Sequence, residues 1–198
     1  MVSAIDAHLK ARELRRTQLA ERARRLRRDA QNAMARLHGG EVVAAEVAKI
    51  RLETRALARW VRRNAAVDAG LAHDALQEGV EATLLLALHQ HERLPSPARL
   101  GVDPEEYLAG LGDTVGEVRR LILSDLAHGR VADAEATLGT MEQLYQLLLR
   151  FETTRAIVAL KPKQDTARAL LERTRGEVTM ARVLARAQLP PPPEEERS

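Results

Sequence analysis

The chain has 198 residues, a net charge of +3, no cysteine and an aromatic content of 2%. The lack of cysteine excludes disulfides, thiolate catalysis and cysteine-ligated metal centres. The scarcity of aromatic side chains excludes base stacking as the main mode of nucleic-acid binding, so phosphate contacts would have to supply most of it. No uncharged apolar run approaches the roughly 20 residues of a membrane span, and basic residues interrupt the N-terminus where a signal peptide is apolar. We therefore expect a cytoplasmic protein with no membrane partner.

The charge is distributed unevenly along the chain. Residues 1–63 hold 16 Lys and Arg against 7 Asp and Glu, whereas residues 64–198 hold 15 against 21. Of the basic residues, 27 are Arg, whose planar guanidinium presents paired donors to phosphate. The pattern fits an anionic partner, and it fits equally well the Ala- and Arg-rich composition of a GC-rich genome. Composition alone leaves both interpretations open.

Apolar residues at helical spacing begin at the N-terminus. Residues 1–37 form one long helical pattern whose apolar stripe is too thin for a full core face. Such a helix usually packs along another long helix or another chain, and this one ends at Gly39-Gly40. A second helix is predicted over about 41–64 and a third over about 67–92. The apolar run at 83–88 predicts that the third helix is central.

Prolines mark the boundary after the third helix. The segment 94–97 contains Pro95 and Pro97, which disfavour helix in the residues before them. Asp103 followed by Pro104 is typical of a helix start, and the fourth helix is predicted to continue to about residue 127.

The remaining chain adds two predicted helices, over about 131–151 and about 166–187, the second after a break at Lys161-Pro162. The Pro- and Glu-rich residues 189–198 are predicted to be a disordered tail. No strand pattern is present. The sequence therefore predicts an all-α fold, a single-domain bundle of about six to seven helices over residues 1–188 with a long N-terminal helix.

Two predicted core helices carry acids where apolar residues are expected. Glu78 and Glu81 are three apart on the third helix, and Asp113 and Glu117 are four apart on the fourth, so each pair shares a helix face. Helices joined by a short connection usually pack antiparallel. Counted outward from the proline break, Glu81 matches Asp113 in height and Glu78 matches Glu117. We therefore expect the four carboxylates to meet.

Four facing carboxylates repel one another unless protons or cations intervene. Mg²⁺, with Mn²⁺ as a substitute, is the oxygen-preferring cation that would resolve this, and it could activate water for phosphodiester cleavage. Paired helical acids are more often solvated or bound to a nearby arginine, and Arg120 lies one turn after Glu117. Gly79 and Gly116 favour a close approach, since glycine inside a helix costs about 1 kcal/mol relative to alanine. Spacing alone does not decide between the two interpretations.

The same residues resemble motifs of the translin family, particularly its catalytic branch, translin-associated factor X. The segment Gln-Glu-x-x-Glu is matched at residues 77–81, and Tyr-Leu-x-Gly-x-x-Asp-x-x-Gly-Glu-x-x-Arg is matched at residues 107–120. Residues 28–41 and 141–151 are also similar to family segments. The similarity covers most of residues 20–187, although the connection between the third and fourth helices is shorter than in the animal catalytic subunit.

The resemblance implies a translin-like helical fold and a Mg²⁺-dependent endoribonuclease specific for single-stranded RNA. In the family's catalytic subunit four acids bind Mg²⁺, whereas translin lacks part of the set and mainly binds RNA. The matching acids are all present here and are the predicted catalytic residues and metal ligands: Glu78, Glu81, Asp113 and Glu117. Arg120 matches the arginine of the motif and is predicted to contact RNA or to orient Glu117. Family precedent also implies a homo-oligomer, specifically an octamer with interior active sites.

Other functions remain as alternatives. A non-catalytic oligomer that binds single-stranded RNA or DNA would use the acids only structurally. A ferritin-like di-iron bundle is disfavoured because no Glu-x-x-His pair is evident. His89 and His91 are two apart on a helix and point in different directions, so we do not expect them to share a metal.

Overall fold

The structure, a computed structural model, describes residues 2–64, 70–152 and 159–187. The regular elements in these ranges are all helices, which confirms the predicted all-α bundle with a long N-terminal helix. In chain order they are α1 (Val2–His38), α2 (Ala44–Arg63), α3 (Gly70–His89), α4 (Pro97–Leu100), α5 (Pro104–Ala127), α6 (Val131–Leu149) and α7 (Leu160–Ala187).

Three predictions concern residues at or beyond the ends of the described ranges. The predicted tail at 189–198 and the predicted start of the third helix near residue 67 lie outside them, and the domain boundary at residue 188 stays a prediction. No helix within the described ranges combines the length and apolarity needed to cross a membrane.

Helices α3 and α5 form the centre of the bundle. Helix α3 packs against α1, α2 and α5, while α5 packs against α3, α6 and α7. Because neighbours cover α3 on several sides, its residues from Gly79 to Ala87 are all buried, as the apolar run predicted. The acids of α3 and α5 therefore lie on the two central helices.

The two halves of helix α1 differ in burial. Its first buried residue is Leu19, and the large apolar side chains before it are exposed, with 54% of Ile5, 56% of Leu9 and 60% of Leu14 accessible. Its C-terminal half packs on α3 through Leu26, Ala30, Met34 and other buried residues. The thin apolar stripe thus joins the core only in the second half of the helix.

The proline break contains a single-turn helix, α4. The Ser96 hydroxyl caps it by accepting a hydrogen bond from the backbone N–H of Arg99 at 3.3 Å. Gly101 ends it in the left-handed region, with φ of 68°, which glycine adopts without strain. This compact connection lets α5 fold back along α3.

The start of α7 was predicted wrongly. The helix begins at Leu160, not near residue 166, so the Lys161-Pro162 step lies inside its first turn. Proline is tolerated there because the first N–H groups of a helix have no intrahelical partner. Helix α7 packs on α5, where Arg119 bonds Glu177 at 2.5 Å and Thr174 at 2.7 Å. The early start places Lys163 on a helix beside α5.

Candidate functional site

Helices α3 and α5 come into close contact beside the predicted acids. A Cβ at Gly110 would lie 2.8 Å from Val80 Cγ1 and 2.9 Å from the backbone oxygen of Gln77, so only glycine fits. Gly110 is one turn before Asp113, and Val80 lies between Glu78 and Glu81 in the chain. The contact between the two backbones therefore brings the acidic faces of α3 and α5 together.

The glycines singled out from the sequence differ in their roles. A Cβ at Gly79 would lie 3.3 Å from Thr54 Cβ, and closer still to the hydroxyl, so this glycine lets α2 approach α3. Among the described residues, a Cβ at Gly116 would meet only Leu170 Cδ1, at 4.0 Å, which is an ordinary contact. The close approach of α3 and α5 depends instead on Gly110.

Glu81 is the most buried of the four acids, with 7% of its surface accessible. No hydrogen bond or ion pair joins its carboxyl group to another described residue. The pKa of Glu81 is raised to about 8, first by burial and then, in decreasing order, by the charges of Asp113, Glu117 and Glu78. Three other carboxylates therefore lie close enough to Glu81 to disfavour its charge, so the structure brings the four acids together.

The other three acids have partners within the chain. Glu78 accepts a hydrogen bond from Gln31 Nε2 at 2.8 Å, and Arg27 Nε lies 3.5 Å from the same oxygen. Both partners belong to α1, which packs along α3. The C-terminal half of α1 thus forms one wall of the site.

Asp113 is bound from two helices. Lys163 Nζ of α7 donates to Asp113 Oδ1 at 2.6 Å, and Gln77 of α3 donates to the other oxygen. A Cβ at Gly112 would lie 2.8 Å from Lys163 Cδ and 3.0 Å from its Cβ, so glycine makes room for the lysine stem. The position of the ammonium group is therefore fixed by packing as well as by charge.

Glu117 pairs with His38, the last residue of α1. His38 Nε2 lies 2.6 Å from Glu117 Oε2, and the other ring nitrogen, Nδ1, is buried without a hydrogen-bond partner. A carboxylate oxygen only accepts hydrogen bonds, so Nε2 carries the hydrogen and is the donor of this bond. Arg120 Nη1 lies 3.1 Å from Glu117 Oε1, with 68% of the arginine side chain accessible. Arg120 therefore contacts Glu117, and its predicted contact with RNA stays a prediction.

Sequence reasoning missed His38, Lys163, Gln31 and Arg27 at this site. Only α1 and α7 bring them there, and neither helix is adjacent in the chain to both acidic segments. The family similarity of residues 28–41 is a signal for His38. Lys163 has no such signal because the sequence predicts a helix break in its segment.

The donor groups of the site determine which cation it could hold. Among the described residues, no three histidine, aspartate or glutamate side chains are arranged as a ready metal-binding group. Three of the four acids are turned toward the partners described above, whereas the buried Glu81 has none. The donors are all carboxylate oxygens, which suit Mg²⁺ and Mn²⁺ rather than softer metals. The donor set therefore fits the predicted cation.

Solved structures with the same fold were found by comparison. The chain superposes on the AfC3PO–duplex RNA complex with a TM-score of 0.84 and 28% identity, covering 95% of this chain and 99% of that one. It superposes on AfC3PO with a TM-score of 0.82 and 28% identity, covering 92% and 97%. Apo-NeC3PO gives a TM-score of 0.82 at 20% identity, covering 91% and 96%, and this likeness concerns the fold alone.

Sequence comparison adds one curated relative. The uncharacterized protein MJ0175 of Methanocaldococcus jannaschii is 35% identical over 103 residues, which are 52% of this chain and 46% of that protein. The match thus spans less than half of the relative. No protein-family model matches the chain.

The fold and the site define an all-helical bundle with a carboxylate cluster between its two central helices. The solved structures with this fold are C3PO complexes of the translin family, matched over nearly their whole length. The chain shares the fold of these translin-family complexes.

Proposed function

We propose that this chain is a metal-dependent endoribonuclease that binds and cleaves single-stranded RNA, on the catalytic, translin-associated factor X-like branch of its family. One observation carries the proposal: Glu81 is buried, has no described partner and is surrounded by three further carboxylates. A buried acid whose charged form is disfavoured by its surroundings is typical of a functional site. The RNA part is supported by the AfC3PO neighbour, which was solved with duplex RNA.

In this proposal Glu78, Glu81, Asp113 and Glu117 hold Mg²⁺, or Mn²⁺ in its place. The cation supplies Lewis acidity toward water and the phosphodiester when it is bound. Its positive charge would offset the repulsion that now raises the pKa of Glu81. All four residues are present, so the catalytic branch is favoured over a translin that only binds.

Residues around the acids would position them. His38 donates to one oxygen of Glu117 and restricts the orientation of its carboxylate. Lys163 holds Asp113 through its ammonium group and could also contact a phosphate oxygen of the substrate. Arg120 is exposed beside Glu117 and is the side chain proposed to contact the RNA backbone.

The proposal includes a homo-oligomer, with an octamer as the family precedent. Two exposed apolar stripes support association. One lies on the first half of α1, at Ile5, Leu9 and Leu14. The other lies on α7, where Met180, Val183 and Leu184 are between 55% and 61% accessible. Neither stripe is covered within the described chain, so association would remove apolar surface from water.

A second candidate function is an RNA-binding protein without catalysis, which could also bind single-stranded DNA. The observation that favours it is the set of internal partners, since Lys163, His38 and Gln31 already bond three of the four acids. In that case the acids would be structural, and RNA binding would not require a divalent cation.

Cleavage of labelled RNA distinguishes the two functions. Single-stranded RNA, single-stranded DNA and duplex RNA are incubated with the protein in Mg²⁺ and then in a chelator. The nuclease proposal expects only single-stranded RNA to be cut, only with Mg²⁺, and not by Asp113→Asn or Glu117→Gln, which still bind it. Cleavage that survives chelation contradicts the carboxylate mechanism. Binding without cleavage by the unmodified chain supports the second function.

A further inference from the structure

A cleft of about 690 Å³ opens beside the carboxylate site. Its walls are the C-terminal ends of α1, α3 and α5 with the segments that follow them, and the first half of α6. Four of the six histidines of the chain line it: His38, His89, His91 and His128. This volume lies within the range of pockets that bind small organic groups, roughly 300–1,000 Å³.

The cleft adjoins the carboxylate site at His38. The Nε2 atom of this ring donates to Glu117 at 2.6 Å, while the same residue forms part of the cleft wall. On α5, Leu121 and Ser124 follow Glu117 at helical spacing and also line the cleft. If an RNA strand placed one phosphate at the acids, a neighbouring nucleotide of that strand would therefore lie at the cleft.

The charges of the cleft do not suit a phosphate. Arg130, its one arginine among the described lining residues, donates to Asp125 Oδ1 at 3.0 and 2.8 Å and lies 3.8 Å from Asp133. Its positive charge is thus compensated by two carboxylates. The C-terminal ends of α3 and α5 also present the negative end of the helix dipole. An anionic group would find little net attraction here.

The lining instead suits a flat, neutral group with hydrogen-bonding edges. Leu88, Val118 and Leu121 supply apolar surface, and the hydroxyl-bearing residues Thr137 and Thr140 line the α6 side. The histidine rings can stack or form hydrogen bonds. A nucleobase has this combination of an apolar face and a polar edge.

We propose that the cleft receives one unpaired base of the RNA whose backbone lies at the four carboxylates. This inference rests on the proposed RNA-binding function and extends it to the class of substrate. A base in a duplex must leave its stack to enter such a cleft, whereas a base in a single strand is already free to do so. The cleft thus provides a physical cause for preference toward single strands.

Two alanines on α6 provide a matched pair of variants. Both Ala132 and Ala136 are exposed, but only Ala136 lines the cleft. Ala136→Trp fills the cleft, and Ala132→Trp adds the same side chain on the same helix outside it. Because both positions are exposed, both variants should fold, and thermal unfolding verifies this.

The experiment measures binding in a chelator, so that it does not depend on cleavage. The probe is a labelled tetranucleotide of RNA, either intact or with one base removed at each position in turn. For the unmodified chain and for Ala132→Trp, one abasic position should weaken binding about tenfold, because the contacts of one base with the cleft are lost. For Ala136→Trp, intact and abasic probes should bind equally. Blunt duplex RNA should bind both variants alike.

Each other outcome has a defined meaning. If the unmodified chain binds intact and abasic probes equally, or if Ala136→Trp keeps the position-specific loss, the cleft does not receive a base, and the proposed function is unaffected. If the unmodified chain binds no RNA, the proposed function fails together with this inference.

Discussion

Lys163 Nζ lies 2.6 Å from Asp113 Oδ1 and joins the first turn of α7 to the middle of α5. The lysine stem lies against Gly112, where any side chain would displace it. Its charge lowers the pKa of Glu81, opposing the three acids that raise it. The ammonium group of Lys163 thus places a positive charge at the site, supplied by a helix that is distant in sequence.

Removal of this charge should make the protein more dependent on a divalent cation. In Lys163→Met the four acids lose their bonded ammonium group, so their repulsion increases and the metal-free protein becomes less stable. We expect Mg²⁺ to raise the melting temperature of Lys163→Met more than that of the unmodified chain. Lys161→Met is the control, since Lys161 is 75% accessible and its ion-pair partner among the described residues is Asp165. An equal effect of Mg²⁺ on both variants would argue against this role of Lys163.

The pKa of Glu81 predicts how stability depends on pH. It is about 8 in the folded chain against an ordinary value of 4.5, so the folded state binds an extra proton between these two pH values. The stability from this group is fully present below the lower value and is lost as pH rises through the upper one. Between about pH 6 and about pH 9, the melting temperature of the metal-free chain should therefore fall more than that of Glu81→Gln.

The control for this measurement is Glu13→Gln, which removes an exposed acid on α1. Its melting temperature should show the same pH dependence as the unmodified chain. If Glu81→Gln also shows that dependence, the carboxyl group of Glu81 does not titrate as described.

His38 should matter through its bond to Glu117. His38→Ala removes a hydrogen bond to a charged group, which typically contributes about 1.5–3 kcal/mol. We expect the RNA cleavage rate at saturating RNA to fall about tenfold or more. His38→Gln, which keeps an N–H donor, should restore part of the rate, and His8→Ala on the exposed part of α1 should leave it unchanged. A full rate in His38→Ala would exclude this positioning role.

Gly110 should be required for the contact of α3 with α5. A Cβ there would lie 2.8 Å from Val80 Cγ1 and 2.9 Å from the backbone oxygen of Gln77, and the backbone cannot move aside cheaply. Gly110→Ala should therefore lower the free energy of unfolding by about 1–3 kcal/mol. Gly139→Ala is the matched control, because Gly139 lies inside α6 and no described atom is within 4 Å of its added Cβ. This variant should raise the free energy of unfolding by up to about 1 kcal/mol. Denaturant unfolding that ranks the two variants in reverse would contradict the packing described here.

Much of the fold could be predicted because helical periodicity and helix-breaking residues are local signals. The fully apolar run at 83–88 predicted a central helix, and α3 is buried there. Asp103-Pro104 marked the start of α5 to the residue. Pro162 misled the prediction because proline both interrupts a helix and occupies its first turn, and the residues after it do not distinguish the two cases.

The acids of the site could be predicted because they lie on two consecutive helices, whose antiparallel packing follows from a short connection. The side chains that bond them could not. Lys163 and His38 reach the site from the two ends of the chain, and only the packing of α1 and α7 decides that they meet Asp113 and Glu117. The position of Gly110 at the α3–α5 contact is likewise a property of tertiary packing.

Mn²⁺ binding tests the central claim most directly, since Mn²⁺ can replace Mg²⁺ at oxygen ligands and is observed by electron paramagnetic resonance. The measurement compares the unmodified chain with Asp113→Asn, Glu81→Gln and the control Glu13→Gln in the absence of RNA. We predict that the unmodified chain and Glu13→Gln bind Mn²⁺ alike, and that each of the other two variants binds it at least about tenfold more weakly, a change of about 1.4 kcal/mol. Equal affinity in all four proteins would contradict a cation site at these carboxylates.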